Sequence, residues 1–454
     1  MHQIEPGTET AKGDPSKSLF ISMLTRDISL ADCIVDLLDN SVDGIKEFRK
    51  RTNLPVPAEN EYAGYWVKIE MRENQFRISD NCGGIPIQVA KDYAFRFGRR
   101  DQEDQQLAES HTIGLYGIGM KRAMFKMGKQ ILVTSSTGTE SFRMALDVDQ
   151  WRRQRDPQDN TRDNWDFELT HVVRNNTNVP SGTSIEISEL PRNVSRDLSS
   201  PGFENGLIYS LRRQYAFIIS NGLHLTINGH AVTPIMPTFK VGDQIAPMRL
   251  REEHNGVTLD ITAGLASSPP EDDSAENLYP AADTYGWYVA CNDRIVVTAD
   301  KTFLTGWGVT PVPNWHPQFY GFLGVVRFDA NDPRLLPWTT TKRYVDTGSE
   351  IYRYALTIMS ECAKQFVDYT NKRKGEITQL KRIEGAAVSR SITKVDLQKK
   401  MSFPKIGKTK TRRIQYDKPL SEIEAVAKAL KMRRLSLKEI GIKTFDYFKE
   451  REVV

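Results

Sequence analysis

The segment SLADCIVDLLDNSVDGIKEF, Ser29 to Phe48, constrains the chain more than any other. Leu30, Ile34, Leu37, Leu38 and Ile45 recur at helical spacing, which predicts helices over about 18–50 with one face in a core. Asp36 and Asn40 are one turn apart and share a face, and Asp43 lies on the same side. A carboxylate one turn from a carboxamide can hold a water and a hydrated magnesium ion, because magnesium takes oxygen ligands and keeps several waters. A helix with a polar solvent face is the ordinary alternative.

Three further pieces carry chemistry when taken with the first. ISDNCGGIP ends a strand at Asp80, and Gly83–Gly84 lets the backbone pass close to a ligand. A buried Asp beside a base accepts a hydrogen bond from an exocyclic amine; the alternative is an ordinary Asp–Asn–Gly turn. GLYGIGMK, Gly114 to Lys121, is a loop-to-helix junction. Its glycines free backbone amides for anionic oxygens, the helix N-terminus adds partial positive charge, and Lys121 adds a full one. It lacks the GKT or GKS ending of a P-loop. SGTSIEIS opens a strand at Thr183, whose hydroxyl could bond Asp80 or a water near the base. By itself each of these last two is a turn or a strand start.

Around these pieces the expected order is helices, then strands at 65–71 and 75–79, a polar loop at 92–113, the Gly-rich turn, and a helix ended by Gly128. Strands at about 130–136, 140–147, 166–174 and 183–188, a helix at 203–219 and a strand at 223–228 follow. This order predicts an α+β chain whose first part, to about 235, is a two-layer α/β sandwich. Residues 236–350 read as strand-rich, with VACNDRIVV and GFLGVVRFDA as strands. A long helix is expected from Ser349 to about Glu384, then a basic linker, then a small helical module over 414–454 built on Leu420, Ile423, Val426, Leu430, Leu435, Ile440, Phe445 and Phe448.

Composition closes off other classes. The 454 residues are 39% hydrophobic, enough for real cores. No run of about 18 apolar residues exists, so no membrane span is expected. The polar N-terminus has no apolar signal core, and the four cysteines include no CxxC pair, so a cytoplasmic protein without disulfides or structural zinc is expected. Lys372 to Arg413 holds fourteen Lys or Arg against three acids, +11 in a chain whose net charge is +4, so a mildly acidic body carries a basic segment.

The four pieces, in this order, resemble the GHKL ATPase superfamily of gyrase B, the ninety-kilodalton heat-shock chaperones, histidine kinases and MutL. DLLDNSVDG is similar to the ELxxNSxDA segment of MutL and MORC proteins, and GLYGIGMK to the MORC segment GxYGxGxK. PWTTTKRYVD resembles the segment carrying the transducer lysine, and CNDRIVV the transducer strand CNxRxV; together the likeness covers about 18–350. The resemblance implies a Bergerat ATP-binding fold over 18–235, a transducer-like α/β domain over 236–350, a long helix and basic linker over 351–413, and a flexible N-terminal arm over 1–17. It implies ATP and Mg2+ as ligands. Asp36 would stand for the catalytic Glu that activates water, Asn40 would bind the metal, and Asp43 would line the cofactor site. Asp80 would take the adenine amine with Thr183 assisting, and Gly84 and Ile85 would flank it. Gly114, Gly117, Ile118, Gly119 and Met120 would cradle phosphates, and Lys121 and Lys342 would neutralise them. The segment at 95–113, hinged at Gly98 and Gly114, occupies the place of the ATP lid.

Two departures qualify the likeness. Asp36 is one methylene shorter than Glu, which sets the carboxylate about 1.5 Å back; since a misplacement of about 1 Å costs about a hundredfold in rate, either slow hydrolysis or a backbone shifted to compensate is expected. Cys82 stands where the family usually has Gly, as a small packing residue rather than a reactive thiol. Among these relatives ATP closes two protomers, so a homodimeric clamp is the leading expectation, with double-stranded DNA held by 372–413. A protein partner from a defence (restriction or anti-phage) or DNA-processing system goes with that reading. A chaperone-like ATPase with a protein client, or a nucleotide-sensing switch with little turnover, is the alternative.

Overall fold

The computed structural model describes residues 15–57, 59–97, 118–175, 179–270, 282–339, 344–373, 377–404, 413–430 and 436–452. Gly98, Gly114, Gly117, Lys342 and the expected arm up to residue 14 lie outside the described residues. The chain divides into two units, 1–406 and 407–454.

The first unit is α+β. Helix α1 (Lys17–Arg26) starts at Ser16, whose hydroxyl accepts from the Leu19 amide at 3.3 Å. Helix α2 (Leu30–Thr52) starts at Ser29, which caps the Asp32 amide, and stops at Asn53 in the left-handed conformation with φ 52°. Its apolar residues Cys33, Ile34, Leu37, Leu38, Val42 and Ile45 are all buried, as the spacing requires.

An eight-stranded sheet runs β5-β4-β3-β6-β2-β1-β7-β8, with β1 Trp66–Arg72, β2 Gln75–Asp80, β3 Gln130–Ser136, β4 Ser141–Asp147, β5 Thr170–Val173, β6 Gly182–Ser188, β7 His224–Ile227 and β8 His230–Ala231. Neighbours are antiparallel except β1 and β7. Along β1 and β2 alternate residues (Val67, Ile69, Met71; Phe76, Ile78) are buried, the period of a sheet with one face in a core. Helix α3 (Gly119–Met127) packs beside α2. An aromatic cluster braces α1: Phe20 meets Phe97 and Trp165 edge-on, and the Lys17 ammonium sits 3.9 Å from the Trp151 ring centroid.

A second, five-stranded sheet runs β10-β11-β14-β12-β13, with β9 Thr238–Val241 outside it and β10 Met248–His254, β11 Val257–Leu265, β12 Gly286–Cys291, β13 Arg294–Asp300 and β14 Phe322–Asp329 within it. VACNDRIVV, expected as one strand, is a hairpin: Asn292 and Asp293 both take positive φ, at 47° and 67°, and fold β13 back on β12. The strand expected at 166–174 shrinks to Thr170–Val173, and the helix expected at 203–219 breaks at Tyr215 into Pro201–Gln214 and Ala216–Ser220. Short helices at Val148–Arg153 and Arg192–Leu198 were not foreseen. The long helix expected to Glu384 is two: α4 (Glu350–Arg373) and α5 (Ile377–Ala386). Strand β15 (Val388–Ser391) then pairs with β9.

The hairpin turn fastens the second sheet to α2. Arg294 Nε donates to Asp39 Oδ1 at 3.2 Å, with both side chains almost fully buried. The Tyr215 hydroxyl donates to the same carboxylate. Arg294 lies 4.4 Å from the Tyr215 ring and also donates to the Ile295 carbonyl at 2.8 Å.

In the second unit, α6 (Leu420–Ala429) and α7 (Leu437–Glu452) form the expected helical module. Among the described apolar residues of this unit only Ile440 is buried, while Leu420, Phe445 and Phe448 are exposed. So little enclosed surface supplies little stability for a piece this short.

Removing Arg294 takes the guanidinium away from a buried carboxylate. Arg294→Met is expected to destabilise the first unit by about 3–5 kcal/mol, read as a lower urea midpoint. The double variant Asp39→Leu/Arg294→Met, which leaves no charge behind, should recover most of that loss.

Candidate functional site

Two groups of polar side chains gather on and beside α2. In the first, Asp80 closes β2. Its Oδ1 accepts the Cys82 amide at 2.9 Å and the Thr183 amide at 3.1 Å, and its Oδ2 accepts the Ser41 hydroxyl at 2.8 Å. An ionised carboxylate offers about four acceptor positions, so these bonds leave Oδ2 able to take one more donor. Burial pushes the Asp80 carboxyl up; the Cys82 amide, the Ser41 hydroxyl and the Thr183 amide oppose that. One open acceptor in a desolvated setting suits an exocyclic amine. Thr183 serves here through its backbone; its hydroxyl lies 3.1 Å from Ser135 Oγ instead.

The turn after Asp80 is fixed by close backbone approach. Gly84 has φ 67°, and a Cβ on it would lie 1.9 Å from the Ser136 carbonyl oxygen. The Ile85 amide donates to Ser135 Oγ at 2.7 Å, so the turn is stitched to β3. Gly44 of α2 faces the Cys82 carbonyl, with 2.9 Å left for a Cβ. Cys82 is buried, and burial, then the Asp80 charge, pushes its thiol well up, which makes it a packing residue.

In the second group stand Asp36 and Asn40. Asp36 is buried, Asn40 is exposed, and Asp43 is buried further along α2. Helix α3 comes in against Asp36: a Cβ on Gly119 would lie 3.2 Å from Asp36 Oδ2. Ile118 is the residue before the helix, and Met120 turns into the core. Lys121 is buried and donates to the Ala94 carbonyl at 2.8 Å, 5.8 Å from the Phe97 ring centroid, so its ammonium is turned into the protein. Its neighbour Arg122, not singled out from the sequence, donates to Asp36 Oδ2 at 2.6 Å. Adjacent helical residues point about 100° apart; the only sequence signal for Arg122 was its place in the first turn after the glycines.

Ser41, Ser135 and Arg122 were thus missed by sequence reasoning, although Ser41 sits inside DLLDNSVDG. Among the described residues no group of three or more His, Cys, Asp or Glu is arranged to hold a metal ion. An exposed amide oxygen at Asn40, one turn from a carboxylate, fits a magnesium ion that takes most of its ligands from phosphate and water. Among the described residues no helix is long and apolar enough to cross a membrane.

Asp80→Asn turns an amide NH2 toward donors already aimed at this position. It is expected to weaken ATP and ADP binding alike, by about tenfold or more, measured by calorimetry, because both nucleotides carry the same base.

Residues 28–183 match the family model described as histidine kinase-, DNA gyrase B-, and HSP90-like ATPase. The match takes in α2, the Asp80–Gly84 turn, α3 and the start of β6. No curated protein matches the chain. The fold and this match agree on a GHKL-type ATPase domain, an ATP-binding domain, over residues 28–183.

Proposed function

We propose that the protein binds and hydrolyses ATP and works as a nucleotide-gated dimeric clamp on double-stranded DNA. The observation that carries the ATP reading is Asp80, a desolvated carboxylate with three donors in place and one acceptor position open, joined through Ser41 to the helix that bears Asp36 and Asn40. In this reading Asp80 takes the adenine amine, and the start of α3 faces the phosphates. Asn40 holds magnesium, which neutralises phosphate charge. Asp36 orients the attacking water and takes its proton as the oxygen bonds to the terminal phosphorus and the bridging P–O bond breaks. Residues 18–235 hold the nucleotide, 236–350 transmit its state through the Arg294 hairpin, and 351–413 and 414–454 are the linker and terminal module.

Support for DNA comes from the basic segment. Lys372, Lys381, Arg382, Lys394, Lys399 and Lys400 are exposed on and around α5 and β15. Arg373 is not part of that surface: it is buried, with Nε and Nη2 2.8 and 2.9 Å from the Glu384 carboxylate. Exposed cations of this density bind phosphate backbones without reading sequence, and the binding weakens steeply with salt.

Steady-state ATP hydrolysis with and without plasmid DNA tests the reading. Turnover should rise with DNA, fall back as salt is raised from about 50 to 200 mM, and vanish in Asp36→Ala. Reversing Lys394, Lys399 and Lys400 to Glu should remove the DNA response while leaving DNA-free turnover in place. Turnover indifferent to DNA would move the client to a protein.

A further inference from the structure

We propose that Arg122 is the phosphate-sensing cation of this site: it holds Asp36 in the nucleotide-free protein and transfers to the terminal phosphate when a triphosphate enters. The inference rests on the ATP-site reading above and adds a residue to it.

The geometry starts with a competition. Arg122 Nη2 lies 2.6 Å from Asp36 Oδ2, a charge-assisted bond in a half-enclosed setting where the carboxylate is buried and the guanidinium is partly exposed. A carboxylate engaged in this way is a poor base, because the guanidinium stabilises its ionised form and covers the oxygen that would accept a proton. The α3 backbone also comes close to the same carboxylate at Gly119, where an added Cβ would lie 3.2 Å from Asp36 Oδ2. If Asp36 is to act on water, Arg122 has to let go.

What can take it is set by charge and reach. Arg122 sits on the first turn of α3, the helix whose N-terminus the ATP-site reading sets against the phosphates, and its guanidinium already lies at Asp36, where such an anion would arrive. A terminal phosphate carries more charge than a carboxylate and offers the oxygen pair that an arginine fork fits. A diphosphate ends one group short. The neighbouring cation on this turn, Lys121, is anchored on the Ala94 carbonyl and buried, which leaves Arg122 as the described cation of α3 that lies at Asp36. The exchange forms and breaks hydrogen bonds only; no proton leaves the guanidinium. One motion therefore uncovers the base and places positive charge where the transition state gathers negative charge.

The test needs no turnover. Affinities for a non-hydrolysable ATP analogue and for ADP, each with magnesium, would be measured by calorimetry on the full chain for the wild type, Arg122→Gln, Asp36→Asn and the double variant. The proposal expects Arg122→Gln to lose at least about tenfold for the triphosphate while ADP affinity stays within about twofold. It also expects Asp36→Asn to bind the triphosphate more tightly than wild type, by a factor that shrinks when Arg122 is absent. Should Arg122→Gln melt early because the buried Asp36 carboxylate loses the guanidinium, the double variant against Asp36→Asn gives the same ratio with that charge removed. Equal losses for both nucleotides, or none, would make Arg122 a structural strut and overturn the proposal while the ATP site stands. A wild type that binds neither nucleotide would remove the ATP site itself, and the proposal with it.

Discussion

The buried pair between Asp39 and Arg294 is the interaction on which the arrangement of the site depends. Asp39 stands between Asp36 and Asn40 on α2, so whatever holds Asp39 sets the rotation of the helix that presents both. Arg294 comes from the turn of a hairpin in the second sheet, far along the chain. Taking two charges out of water costs several kcal/mol each. The mutual attraction, the Tyr215 hydroxyl and the Ile295 carbonyl offset that cost only in this geometry. Burial works against the Arg294 charge, but Tyr215 and Asp39 outweigh it and raise the guanidinium further. Such a pair selects one docking of hairpin on helix rather than adding much stability. It also means that a shift of the second sheet is felt at α2, one residue from Asn40 and three from Asp36.

The surroundings of Asp80 and of Asp36 differ in how much they can move. Around Asp80 each donor is backbone or a short side chain, and Gly84 is locked against β3 with no space for a methyl group. Rigid groups of this kind recognise a rigid, flat ligand without an ordering cost. Around Asp36 the polar groups are a long arginine and an exposed amide. Long side chains lose entropy when fixed, yet they can follow a ligand whose length and charge change. In the proposed reading, a base that stays the same and a phosphate chain that shortens call for this division.

Much of the architecture was legible in the sequence because it follows from periodicity. The apolar positions of α2 and the alternation in β1 and β2 needed only spacing, and the match over 28–183 bears out the GHKL likeness at the level of the superfamily. What escaped depended on contacts between distant parts. VACNDRIVV reads as one apolar run because Asn-Asp interrupts it only briefly, and the positive φ that makes the turn shows only in the backbone. Arg373 counted toward the basic run until Glu384, on the next helix, drew it inside. Lys121 and Arg122 are adjacent cations, and choosing between them requires knowing where α2 and the Ala94 carbonyl lie around α3. Gly114, Gly117 and Lys342 lie outside the described residues, so their expected roles stay with the resemblance.

The short carboxylate at position 36 and the arginine at 122 make physical sense together. Gly119 approaches Asp36 so closely that a Cβ there would lie 3.2 to 3.4 Å from its Oδ2, Cγ and Cβ atoms. With one more methylene, a glutamate at this position would set its carboxylate about 1.5 Å further out, on a side where α3 and the Arg122 guanidinium already lie close. The aspartate stops short, and the arginine spans the remaining distance. A longer acid would need either a different α3 or a small residue in place of Arg122. Position 36 is therefore one half of a close ion pair with Arg122, and in the proposed reading the acid is a base that this pair keeps covered until phosphate arrives.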